Sequence, residues 1–210
     1  MTVAENWAYA QIGNYDSSRE AALDAADVDP EVYDLMIEAA HEGAADYQRY
    51  LNTHKRGLKL EKQYPFDIAA YVSDYTVEET SYEDAVEEVR EALSILGEEY
   101  ISYYDRIINS GHVDVYPTDT KLTGAFSFSL GKEFLPFVQF NYLGYSSDVS
   151  TIAHELGHAI YSSYSKDHQE SIYAEPIIFT QEVASTTNEL LYYSYMMEHA
   201  ATEDERMFYL

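Results

Sequence analysis

Cysteine is absent from the 210 residues. No disulfide can staple the fold, and any metal site must be assembled from His, Asp and Glu. Basic residues are scarce: 12 Lys and Arg stand against 38 Asp and Glu, for a formal charge of -26. A surface this negative repels phosphate backbones and anionic lipid, which argues against nucleic-acid and membrane-surface partners and favours basic or neutral ones. The acidity resembles that of salt-adapted proteins, although by itself it speaks mainly to solubility. No apolar run approaches the roughly 18 residues of a membrane span. Residues 1–16 lack the basic region and apolar stretch of a signal peptide, so a cytoplasmic location is the expectation.

What is present is an ordinary globular composition, 46% hydrophobic and 24% charged, long enough for one large domain or two small ones. Tyrosine is the exception, with 22 residues, some clustered as in Tyr192, Tyr193 and Tyr195. Tyrosine buries a ring while keeping a hydroxyl wet, so amphipathic packing is the expectation and a peptide-binding groove the alternative.

Periodicity predicts a short helix around 18–26. A long one opens at Asp29-Pro30, carries Val32, Leu35, Met36, Ala39 and Ala40, runs to about Lys55 and stops at Gly57. Residues 64–75 read as a connector with a short strand. Thr80-Ser81-Tyr82-Glu83 is a capping-box pattern. The helix it opens presents Val86, Val89, Leu93 and Leu96; after an interruption at Gly97, Tyr100, Ile101, Tyr104, Ile107 and Ile108 continue the period to Gly111. Between Gly111 and Gly144 β-formers predominate, and 137–142 reads as a strand. Ser146, Ser147 and Asp148 can cap a helix through His154 to about Tyr164, and a last helix runs from about Ile177 into the Met196 region. The fold class predicted is mainly α, with a small β element just before one helix. Residues 1–210 are expected to form a single domain, with a helical 1–110, a β-rich 111–145 and a pair of helices in 146–210.

That helix contains His154-Glu155-Leu156-Gly157-His158. Histidines at i and i+4 share one helix face, close enough for both imidazoles to bind one ion. Catalytic tetrahedral zinc takes a third protein ligand and leaves one position for water. Glu155 lies where its carboxylate can reach that water, whose pKa zinc lowers toward roughly 7. The bland alternative is two histidines that meet by helical spacing alone. With no cysteine, the third ligand is sought among His168, Glu170, Glu175, Glu182 and Glu189. Glu182 lies in an apolar and small-residue stretch where a carboxylate needs a partner. Glu189, two turns later, can reach a ligand imidazole or simply face solvent.

His154–His158 followed by Phe179-Thr180-Gln181-Glu182-Val183-Ala184-Ser185-Thr186-Thr187-Asn188-Glu189 closely resembles the oligoendopeptidase F group of the M3 zinc metallopeptidases. The likeness extends through Thr123-Gly124-Ala125-Phe126-Ser127 and 137–142, and more weakly back to about Ser18. It implies a largely helical zincin-like fold with a small sheet beside a channel, and cleavage of short peptides at internal bonds. By position it puts one Zn2+ on His154, His158 and Glu182, and the general base on Glu155. Zincin-like enzymes commonly hold peptide as an added strand, so Phe137, Gln139 and Asn141 become candidate substrate contacts. Family members are longer. The resemblance implies that an N-terminal helical region and a C-terminal segment with His and Tyr donors lie outside this sequence. Self-association or a complementary chain is then expected at the surfaces those parts would cover. The competing readings are a zinc-binding chain without turnover, a metal-free interaction module, and a related zincin cutting as a carboxypeptidase.

Overall fold

The computed structural model describes residues 2–77 and 79–210. The chain divides into two compact units, Met1–Val72 and Ser73–Leu210. The divisions drawn from sequence at 110 and 145 both fall inside the second.

The first unit is helical. Helix α1 (Val3–Ile12) begins at a Thr2/Glu5 capping box, a helix that the sequence reading did not propose. Helix α2 (Ser18–Asp24) is capped by Ser17. Helix α3 (Pro30–Gly57) starts where the Asp29 side chain accepts from the Glu31 N–H, with Pro30 at its first position. Gly57 is its last residue, and Val72 packs against it: a Cβ would lie 2.5 Å from Val72 Cγ1. The expected strand in 64–75 is instead a 3-10 turn at Pro65–Ala69. Buried His54 ties this turn to α3, with its ring between the Ala70 carbonyl and the Gln63 amide, each 2.9 Å away. Proline fixes φ and removes a donor, which favours the turn over a ladder.

The second unit carries the main core. Helix α4 (Tyr82–Leu93) is capped by Ser81, whose hydroxyl accepts from the Asp84 N–H, so the cap lies one residue beyond the predicted Thr80. A 3-10 turn and Gly97, at φ 92°, then break the chain before α5 (Glu98–Ile108). Val89, Leu93, Ile101, Tyr104 and Ile107 from these two helices meet Val138, Phe140, Ile152, Leu156 and Ile160. Most of the core tyrosines behave as expected for amphipathic packing. Tyr104 and Tyr192 are buried while their hydroxyls donate to the Val86 carbonyl and to Glu88.

Three short strands form a mixed sheet in the order β1 (Val113–Asp114), β3 (Phe137–Gln139), β2 (Phe126–Phe128). β1 runs parallel to β3 and β2 antiparallel, with Ser127 opposite Val138. Pairing on the β1 side continues past β3, as Phe140 and Tyr142 donate to the Asp114 and Val115 carbonyls. The predicted strand is therefore the middle one. Val138, Phe140 and Tyr142 are buried on one face, as period-two alternation requires.

Helix α6 (Ser146–His168) follows, then α7 (Ile178–His199) and α8 (Glu203–Phe208). Helix α6 begins at Ser146, but its N-cap is Tyr145 rather than Ser146, Ser147 or Asp148; Asp148 instead reaches back to accept from the Tyr145 N–H. The result is a mainly α fold with one small mixed sheet against the helix that bears the two histidines. No helix among the described residues is long and apolar enough to cross a membrane.

Candidate metal centre and active site

Helical spacing places His154 and His158 on one face of α6, and their Nε2 atoms lie 3.1 Å apart. Glu182 enters from α7, with Oε2 at 3.7 Å from each of those nitrogens. Tetrahedral zinc with His and carboxylate ligands has donor-to-donor edges of about 3.3 Å. The three distances bracket that value. Among the described residues this is the one group of three or more such side chains close enough to share an ion. The chain thus carries a His/His/Glu cluster able to hold a single Zn2+. The other third-ligand candidates are elsewhere: His168 is exposed and bonds the Tyr164 carbonyl, and Glu170 and Glu175 are exposed outside the cluster.

Glu189 is the outer partner of His154. The imidazole donates its Nδ1–H to Glu189 Oε1, which leaves Nε2 with its lone pair turned into the cluster. His158 is buried, and its pKa is pushed below the ordinary histidine value, first by desolvation and then by His154. A neutral ring with a free lone pair is the form a metal requires. The donor set therefore fits the ion.

Glu155 points to a different task. It is buried, and its pKa is pushed up to about 7, chiefly by desolvation and further by Glu182 and Glu189; His154 and the backbone N–H of Ser127 draw it partly back. Its Oε2 has no hydrogen-bond partner among the described residues. A buried carboxylate oxygen left unpaired is costly, and a proton-exchanging partner is what such a group suits.

The sheet assigns the substrate candidates differently from the sequence. β3 is paired on both sides, so 137–139 offers no free edge; the edge beside α6 belongs to β2. The amides of Gln139 and Asn141 both donate to the Leu122 carbonyl, and Asn141 also to that of Gly124, so they shape the loop before β2. Phe137 is 36% exposed beside Phe126. Val138 donates its N–H toward β1, to the His112 carbonyl. Its partner Ser127 therefore turns its own N–H and C=O away from β3, and the N–H reaches Glu155. Ser127 escaped the sequence reading because only the strand order reveals an edge.

Two further features were missed. Gly157, between the histidines, lies where α6 crosses α7: a Cβ there would stand 2.6 Å from Ser185 Cα and 3.0 Å from the Ala184 carbonyl oxygen. Asn188, 1% exposed, donates to the Ala153 carbonyl at 2.9 Å and accepts from the Tyr100 hydroxyl at 2.8 Å. A glycine inside a helix was the available signal; the burial of Asn188 emerges only from the structure.

A family model described as Peptidase family M3 matches residues 1–207. The chain is similar to oligopeptidase PepF of Bacillus subtilis (strain 168), with 32% identity over 100% of this chain and 31% of the relative. It is 33% identical to the chromosomal oligoendopeptidase F of Lactococcus lactis subsp. cremoris, over 94% of this chain and 32% of that protein. Among solved structures, a candidate peptidase from Chlamydophila abortus superposes with a TM-score of 0.82 at 31% identity, covering 99% of this chain and 34% of that one. The chain spans about a third of the length of these relatives.

Proposed function

The chain belongs to peptidase family M3, and from that premise we propose that it is the metal-holding catalytic core of an endopeptidase acting on internal bonds of short oligopeptides. The observation that carries the proposal is the convergence of His154, His158 and Glu182 beside a buried carboxylate, Glu155, poised near neutral pH. Bound zinc would supply Lewis acidity toward a carbonyl oxygen and a water acidified toward pKa of about 7. Glu155 takes a proton at Oε2 and returns it to the leaving amine, and a pKa near 7 suits both directions. Glu189 holds the His154 ring in its ligating tautomer. The outward groups of Ser127 receive the peptide backbone as an added strand, with Phe137 and Phe126 beside it.

Short peptides are the substrate class in this reading, which takes the residues in 111–145 as the substrate side and those in 146–210 as the metal side. A cytoplasmic location completes the reading. Exposed Phe179, Val183 and Leu190 along α7 support a surface for a second copy or a complementary chain.

Cleavage of a quenched fluorescent peptide by the zinc-loaded chain, with Glu155→Gln alongside, tests the proposal. Zinc-dependent internal cleavage should fall by roughly 100- to 10,000-fold in Glu155→Gln. The chain's coverage of about a third of its relatives favours one alternative, a core that binds zinc without turnover alone. One zinc bound per chain with no cleavage by either protein would select it.

A further inference from the structure

Glu182 is the least restrained member of the cluster. Its side chain is 49% exposed, on a helix face whose neighbours Ile178, Phe179 and Val183 are also exposed. A glutamate there would sample many rotamers, and freezing one carries an entropic cost. Something must hold its carboxylate toward the histidines if the third ligand is to be ready for a metal.

We propose that Ser185 is a positioning residue for the metal centre, holding Glu182 Oε2 against the His154–His158 nitrogens. The inference rests on the reading of this cluster as a zinc site. One helical turn after Glu182, Ser185 is 0% exposed, and its hydroxyl lies 3.0 Å from Glu182 Oε2. That oxygen is the one facing both histidine nitrogens. The hydroxyl also lies 3.1 Å from the Glu182 backbone carbonyl. It has one proton for two acceptors, and the charge-assisted bond to the carboxylate is the stronger. A lone pair remains on Oε2 for the ion.

The serine is itself fixed by the helix crossing. Its Cα faces the bare Gly157, the residue before His158, so the α7 backbone can approach α6 at that level. One turn further on, the Asn188 amide grips the carbonyl of Ala153, the residue before His154. Tyr100 holds the other end of that amide from α5. The ligands from α6 and α7 are therefore locked in register at two levels, and Ser185 transmits that register to the exposed carboxylate.

Zinc affinity of the full chain, measured by chelator competition, tests this independently of turnover. Ser185→Ala should weaken zinc binding by about 10- to 100-fold, the usual cost of removing an outer partner of a metal ligand. Ser185→Cys, similar in size but a weak donor, should fall between the two and guards against a packing defect in the alanine variant. In a Glu182→Gln background the added effect of Ser185→Ala should shrink, because the two residues act as one unit. Unchanged affinity in Ser185→Ala, or full additivity with Glu182→Gln, overturns the proposal while leaving the zinc site standing. Wild-type protein that takes up no zinc overturns both.

Discussion

At the scale of single residues, the site sets two adjacent groups against each other. Glu155 is pushed up by burial and two neighbouring carboxylates, while His158 is pushed down by burial and a neighbouring imidazole. Both shifts favour neutral forms in the metal-free chain. Glu155 has a folded pKa of about 7, above its unfolded value, so its contribution to stability is complete below the unfolded pKa. It is lost as pH rises through about 7, and amounts to about 3 kcal/mol across that window. His158 has the opposite sign, costing stability as pH falls through its unfolded value. The comparison of wild type with Glu155→Gln isolates the carboxylate. In chelator-treated protein, urea unfolding should show the variant gaining on wild type as pH rises from the unfolded carboxylate value toward about 7, and levelling off above it. A constant difference over that range would show that Glu155 is well solvated.

Among the elements, the decisive contact is the crossing of α6 and α7. The two helices reach van der Waals contact only because position 157 has no side chain, and the third ligand lies one helical turn from that point. The clash in Gly157→Ala is with backbone, which cannot rotate away. The variant should lose about 1–3 kcal/mol of stability in denaturant unfolding, the range for an overpacked interior. It should also bind zinc more weakly, since α7 must withdraw with Glu182 on it. A fully stable Gly157→Ala protein would mean that the helices can separate without cost. The sheet contributes at the same scale. Because β3 is covered on both sides, β2 alone presents an edge to the α6 carboxylate.

At the scale of the whole chain, the three cluster residues sit on the successive helices α6 and α7, and all of them lie in Ser73–Leu210. An ion that binds only the folded state stabilises it by about 2.7 kcal/mol at a hundredfold excess over Kd. Hydrogen exchange should therefore show zinc slowing exchange in the peptides of α6 and α7 and leaving those of α1, α2 and α3 unchanged. Chelator should reverse the effect, and Glu182→Ala should remove most of it. Uniform protection across both units would contradict a site confined to the second.

The amino-acid sequence by itself determined the two-histidine face, the neighbouring base, the acidic third-ligand candidates and the helical periods of α3, α4, α5, α6 and α7. Those are local properties: spacing along one helix decides which side chains share a face. The resemblance carried by 154–158 and 179–189 then singled out Glu182. Strand order was not local, so 137–142 read as an edge although tertiary pairing puts 137–139 in the centre. The cap at Ser81 and the 3-10 turn at 65–69 were decided by competing hydrogen bonds that propensity ranks only weakly. Tertiary structure alone decided that Gly157 is a contact, that Asn188 bonds the residue before His154, and that Ser127 looks outward. Each depends on what another segment places opposite it, and no spacing within one segment encodes that.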